Sequence, residues 1–172
     1  CNDLIIQTLN RHQNDLKLWR WNSKENIMHL LLEEKSETYV SIHDNLKFLK
    51  DESFLWTSEK DGFNHIYHFD KNGSLINQIT KGDWEVTALY NFNYGSKEIY
   101  YQSVEGSSTE RGLYAIKLSG KGKRTLHPTK GTNGATFSKG GMYYIHSYSD
   151  EKTPLPNYTL FETENNMRFT LY

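Results

Sequence analysis

Ser58, Glu59, Asp61 and His65 bring a hydroxyl, two carboxylates and an imidazole into one short stretch. These are the residue types of a nucleophilic hydrolase, in which an imidazole takes the hydroxyl proton and a carboxylate orients the ring. Such triads are assembled from distant segments, so a set this compact reads as a loop lock. Ser58 and Asp61 are expected to bond turn amides, and His65 to support the strand that follows. His65 and His68 share the spacing of some metal ligands, but residues three apart on a strand point to opposite faces and cannot chelate one ion. Asp70-Lys71-Asn72-Gly73 opens like a calcium loop. The twelfth position of such a loop must be Glu and is Lys81 here, so a tight turn is expected instead. No residue is assigned as catalytic, cofactor-binding or metal-binding.

Other candidates also have plain readings. Asn72-Gly73-Ser74 and Asn157-Tyr158-Thr159 match the N-glycosylation acceptor pattern at a frequency chance supplies. Trp19, Trp21, Trp56 and Trp84 could stack on sugars, but their placement in strand-like runs favours sheet packing, with Trp84 wedged between neighbouring sheets. Lys121-Gly122-Lys123-Arg124 reads as a solvated hairpin tip.

Composition narrows the classes further. Twenty Lys and Arg nearly balance 21 Asp and Glu, so nothing draws the chain to nucleic acid or anionic lipid. Aromatic residues reach 14%, which suits pleated, half-buried surfaces. The single cysteine, Cys1, excludes an internal disulfide and a multi-cysteine zinc site. No apolar run approaches the roughly 18 residues that span a bilayer. The first residues, Cys1-Asn2-Asp3-Leu4, lack the pattern of a signal peptide, so any signal of an exported parent is expected upstream.

The elements that would position these groups recur with a period. Phe54-Leu55-Trp56-Thr57-Ser58 resembles Ile99-Tyr100-Tyr101-Gln102-Ser103 and Tyr143-Tyr144-Ile145-His146-Ser147; the closing serines are 45 and 44 residues apart. Tyr67, Tyr114 and Phe161 mark a second strand at intervals of 47. Leu75–Ile79 and Lys123–Leu126 supply a third, and Val86–Leu89 and Ala135–Ser138 a fourth. The first 45 residues fit as a looser copy, with Leu18-Trp19 in place of Ile66-Tyr67. Four strands per repeat is the arithmetic of a propeller blade, because a twisted four-stranded sheet has two apolar faces that radial stacking covers. The expected fold class is all-β: a partial β-propeller of about three and a half four-stranded antiparallel blades, near 1–45, 46–92, 93–138 and 139–172. Closed propellers use more blades, so a fragment of a larger protein is expected.

Trp56-Thr57-Ser58-Glu59-Lys60-Asp61-Gly62-Phe63-Asn64-His65-Ile66-Tyr67 resembles a stretch of the dipeptidyl peptidase IV family, of the prolyl oligopeptidase class. The family pattern there is aromatic-x-Ser-Glu-x-Asp-Gly-aromatic-x-His-aliphatic-Tyr. Leu9-Asn10-Arg11-His12-Gln13-Asn14, Gln78 through Val86, Arg111-Gly112-Leu113-Tyr114 and Phe137-Ser138 before Tyr143-Tyr144 are similar to family elements in the same order. Each is weak alone, and the ordered series is specific.

The resemblance implies the last blades before a C-terminal α/β-hydrolase domain. The parent would be a serine peptidase removing Xaa-Pro or Xaa-Ala dipeptides from peptide N-termini, exported to the periplasmic or extracellular side. No Gly-x-Ser-x-Gly elbow occurs in the chain, so the chain alone is expected to be inactive. The family's paired glutamates lie upstream of this segment, and Glu33-Glu34 sits in the wrong place to take their role. The cavity arginine of the family has no counterpart around Tyr39-Val40-Ser41-Ile42. Glu59 is the residue expected to face the interior and influence substrate access. The implied partners are a peptide substrate, through the parent, and the parent's own hydrolase domain; whether the parent is a homodimer stays open. The alternative is a noncatalytic propeller module that binds a peptide or glycan. A standalone enzyme is the weakest reading.

Overall fold

The computed structural model describes residues 3–127, 130–165 and 167–169; Cys1 lies outside them. Among the described residues there are fifteen strands and no helix. Asp3–Leu9 (β1), Asp15–Asn22 (β2) and Ile27–Lys35 (β3) form the first sheet, in the order β1-β2-β3. Lys47–Phe48 (β4), Phe54–Ser58 (β5), His65–Phe69 (β6) and Leu75–Gln78 (β7) form the second. Val86–Asn93 (β8), Glu98–Ser103 (β9), Gly112–Lys117 (β10) and Arg124–His127 (β11) form the third, and Thr132–Phe137 (β12), Tyr143–Ser149 (β13), Asn157–Glu162 (β14) and Arg168–Phe169 (β15) the fourth. Every ladder within these sheets is antiparallel between sequence neighbours. The chain is a partial β-propeller, as the period implied.

The phase of the repeat differs from the sequence reading. Val86–Leu89 was expected to close the second sheet, and Ala135–Ser138 the third. Instead β8 pairs with β9 and β12 with β13, so each stands first in the sheet that follows. A repeat fixes the interval between strands and leaves its origin free. The first sheet is the three-stranded one, with β2 in the place of β6, which accounts for the loose match of the first 45 residues.

Alternation along the strands decides which seam each side chain enters. Phe54, Trp56, Tyr67 and Phe69 pack against Leu16, Leu18, Leu31 and Val40, filling the seam between first and second sheets. From the same strands, Leu55 and Ile66 enter the next seam with Val86, Ile99 and Tyr101. Tyr100 and Leu113 face the fourth sheet, toward Ala135 and Phe137. The central strands β5, β6 and β9 are buried along their length because both faces are covered.

Hairpin tips fasten the second and third sheets to the sheet before each. In the β6–β7 turn, Gly73 has φ +87° and lies so close to the Leu31 carbonyl of β3 that a Cβ would overlap it. One repeat later Gly120, at φ +77° in the β10–β11 turn, lies against Ile79, where a Cβ would sit 3.1 Å from the carbonyl oxygen. Two seams thus need a glycine for the same two reasons, left-handed backbone and close approach.

Candidate functional site

A cleft of about 710 Å³ lies between the first and second sheets. It exists because β4 is short. β4 pairs only Lys47 with Leu55 and Phe48 with Phe54, whereas β8 runs along the whole of β9. The far end of β5, Trp56 to Ser58, therefore has no strand on its β4 side. Residues 36–46 cross that gap as irregular chain and line the opening.

Specific bonds hold this crossing segment. The Ser36 N–H donates to the Asn14 carbonyl at 3.1 Å and the Val40 N–H to the Gln13 carbonyl at 2.8 Å. Asn45 Nδ2 donates to Thr57 Oγ1 at 3.1 Å, and the His43 ring lies 4.3 Å from the Trp56 ring. The Asn45 N–H donates to His43 Nδ1 at 3.2 Å, which leaves the ring proton on Nε2, facing Thr57 Oγ1 at 3.3 Å. His43 therefore donates to Thr57 and cannot act as its base in this arrangement. Burial lowers the His43 pKa, consistent with the neutral ring.

Three carboxylates border the same space. Glu34 Oε1 accepts the Trp56 indole N–H at 3.0 Å, and burial raises the Glu34 pKa against the opposing pull of Ser58, Trp56 and Lys60. Glu59 Oε1 accepts the Ser41 hydroxyl at 3.1 Å. Lys60 lies 3.9 Å from the centre of the Tyr67 ring, a cation–π contact, and burial lowers its pKa. Glu33 is neutralised by Lys17 at 3.2 Å and Lys35 at 3.0 Å. The lining thus offers acceptors at Glu34 and Glu59 beside the half-exposed ring of Tyr39. Such a surface suits recognition of polar backbone and cationic groups.

The compact set around Ser58 is dispersed among other partners. Ser58 Oγ accepts the Lys60 N–H at 3.3 Å, while Asp61 accepts from the Phe63 N–H at 3.5 Å and from Gln78 Nε2. His65 Nε2 bonds the Gly82 carbonyl at 2.9 Å and must carry the proton. Its Nδ1 then accepts from Thr80 Oγ1 at 3.1 Å, and that hydroxyl accepts the Ile66 N–H at 2.9 Å. Both ring nitrogens brace the turn between sheets, with Trp84 edge-on at 4.9 Å. His68 points elsewhere, to Ser53 Oγ at 2.9 Å. Asp70 closes its turn by accepting the Asn72 and Ser74 N–H groups, each at 2.8 Å.

Among the remaining candidates, Trp19 donates to Thr8 Oγ1 and Trp21 to Asn26 Oδ1, both within the first sheet's hairpins. Lys123 pairs with Glu105, and Arg124 with Glu98. Asn72 and Asn157 are both exposed. Of the residues weighed from the sequence, Ser58 and Glu59 line the cleft, and so do Glu33 and Glu34. His43, Asn45 and Tyr39 carried no sequence signal beyond the missing alternation of their segment. Glu34 was set aside for its position, and only the buried indole of Trp56, which needs an acceptor, pointed to it.

Comparison with known proteins connects this architecture to one family. Residues 1–155 match the family model described as the dipeptidyl peptidase IV (DPP IV) N-terminal region. The crystal structure of Porphyromonas gingivalis dipeptidyl peptidase 4 superposes with a TM-score of 0.89 at 38% identity, over 97% of this chain and 24% of that one. A probable dipeptidyl peptidase 4 of Aspergillus flavus is 33% identical over 107 residues, which is 61% of this chain and 14% of the relative. Dipeptidyl peptidase 4 of Trichophyton rubrum is 31% identical over 119 residues, 68% of this chain and 15% of the relative. The chain thus corresponds to a small part of the curated relatives' length. With a family match covering most of its residues and the stacked four-stranded sheets of a propeller, the chain belongs to the dipeptidyl peptidase IV N-terminal region family.

Proposed function

We propose that this chain is the noncatalytic propeller segment of a serine-type dipeptidyl peptidase that removes N-terminal Xaa-Pro or Xaa-Ala dipeptides. Its role is to wall and gate the cavity that admits the peptide, and to hold a hydrolase domain in register. The match of residues 1–155 to the family carries this reading. The cleft supports it: its lining is polar, and its hydroxyl and imidazole groups are engaged in positioning bonds. In this reading Glu34, Tyr39, His43 and Glu59 face passing peptide.

The experiment is hydrolysis of a chromogenic Xaa-Pro substrate by the chain and by the longer protein that carries it. The longer protein should turn over and the chain should not. Tyr39→Ala in the longer protein should raise KM several-fold, by loss of an apolar contact worth about 1–2 kcal/mol, and leave kcat nearly unchanged. Turnover by the chain alone, or a Tyr39→Ala enzyme with unaltered KM, would overturn the reading.

A further inference from the structure

The seam between the third and fourth sheets contains a pair of imidazoles that the functional reading does not use. His127, at the end of β11, and His146, in β13, lie face to face with ring centres 3.9 Å apart and planes 5° apart. His146 is 7% exposed, and Phe161 of β14 packs against both rings. Hydrogen bonds fix each ring edge. His127 Nε2 lies 2.7 Å from the Tyr144 hydroxyl and His146 Nε2 lies 2.9 Å from Asn133 Oδ1. Asn133 Nδ2 donates to the Arg111 carbonyl at 3.0 Å, which orients its amide so that Oδ1 accepts from His146. The neutral His146 therefore carries its proton on Nε2, and an added proton creates an imidazolium stacked on a second imidazole.

The charged groups around the pair are already engaged or are cationic. Tyr148 of β13 is 6.3 Å from His146, with its hydroxyl donated to Asp150 at 2.7 Å. Glu110, Arg111 and Lys130 line a recess beside His127, where the two cations outweigh the one carboxylate. Arg124 of β11, whose charge acts on Tyr144, is bound to Glu98 at 2.8 Å. Asn133 represents β12 and Phe161 represents β14, and neither is charged. Among the described residues no carboxylate lies within ion-pairing distance, 4.0 Å, of either ring.

We propose that the stacked His127–His146 pair is an acid-released latch that keeps the fourth sheet seated on the third while both rings are neutral. Burial lowers both pKa values to about 4, and for His127 the neighbouring His146 adds to the effect. A free imidazole titrates near 6.5, so between those values the open state binds more protons than the closed one. Closure is favoured in full above about pH 6.5 and is lost as pH falls toward about 4. The latch does not depend on the peptidase reading and would operate in any protein built on this seam.

The test is amide hydrogen exchange on the 172-residue chain, corrected for the intrinsic pH dependence, between about pH 7 and pH 4.5. Opening of Thr132–Ser149, which spans β12 and β13, should increase steeply on acidification, toward about a hundredfold per pH unit as two protons are taken up. The amides of β1 and β2, strands that carry no histidine, should be unaffected. In His127→Phe, which keeps a ring against His146, the dependence should approach about tenfold per unit, the limit for one proton. NMR titration of the two ring C–H signals in the unaltered chain gives an answer that no variant's folding can obscure. Folded-state midpoints near the free-histidine value, or an equal acid response in β1 and β2, would overturn the latch.

Discussion

The second and third seams join sheets of the same design, yet the centres of their cores differ in chemistry. Between the second and third sheets, Leu55, Ile66 and Ile79 meet Val86, Phe92, Ile99 and Ile116. Between the third and fourth, a ladder of rings runs from Tyr100 to Phe137 (4.7 Å) and on to Tyr144 (5.0 Å) and Phe161 (5.5 Å), with the two imidazoles beside it. The first kind of seam holds by removing apolar surface from water and has little directional preference. The second holds its groups at fixed orientations, through stacked rings and amide bonds, and so depends on protonation. The same backbone arrangement can thus be made insensitive or responsive by the residues on one face of one strand.

The largest expected effect comes from breaking the apolar seam. Ile99 is wholly buried at its centre. Ile99→Ala removes that packing and leaves a cavity, so it should cost about 3–4 kcal/mol of unfolding free energy. Urea denaturation at neutral and at mildly acidic pH would check both halves of the comparison. The loss should be nearly equal at the two pH values, because the side chains packed around Ile99 in this cluster are apolar or aromatic. A loss that grew on acidification would mean that the seams are not independent.

A smaller effect is expected where the third seam is tied by a side-chain amide. Gln102 of β9 accepts the Thr87 hydroxyl at 2.7 Å and donates Nε2 to the Asn133 carbonyl at 2.5 Å, reaching from the third sheet into the fourth. Gln102→Leu keeps the bulk but leaves a buried carbonyl and a hydroxyl without that partner, a loss of about 2 kcal/mol. It also loosens the strand that carries Asn133, so the acid response should begin at higher pH than in the unaltered chain. Thermal unfolding monitored at several pH values reads both changes.

How much of this was legible beforehand follows from the physics of each feature. The alternation of Phe54-Leu55-Trp56 and its echo at Ile99-Tyr100-Tyr101 is local, so the sheets and their two-sided burial could be read directly. The origin of the repeat could not, because whether Val86 pairs backward with Leu75–Gln78 or forward with β9 is a non-local choice that both patterns allow. The triad-like set at Ser58, Asp61 and His65 has separate partners, with Ser58 on the Lys60 amide, Asp61 on the Phe63 amide and His65 between Thr80 and Gly82. The cleft was not visible, since it arises from a strand that stops after two residues and from an irregular segment without periodicity. The imidazole pair was equally hidden: His127 and His146 belong to different sheets, and only stacking places them together.

The finest contrast between the seams lies at adjacent residues. Tyr101 and Gln102 follow one another on β9 and point to opposite sides, Tyr101 into the apolar seam and Gln102 into the polar one. Gln102 has both ends bonded. The Tyr101 hydroxyl is buried without a hydrogen-bonding partner among the described residues. Burial and the nearby Glu105 carboxylate raise its pKa, so it remains a neutral phenol under ordinary conditions. Tyr101→Phe keeps the ring stacked on Tyr114, 5.5 Å away, and removes only the unanswered hydroxyl. It should leave stability unchanged or raise it by up to about 1 kcal/mol, in contrast to the loss one residue later. Chemical denaturation of the two variants side by side checks this. A Tyr101→Phe loss as large as that of Gln102→Leu would show that the Tyr101 hydroxyl contributes as much as the bonded amide beside it, and the contrast between the two faces of β9 would fail.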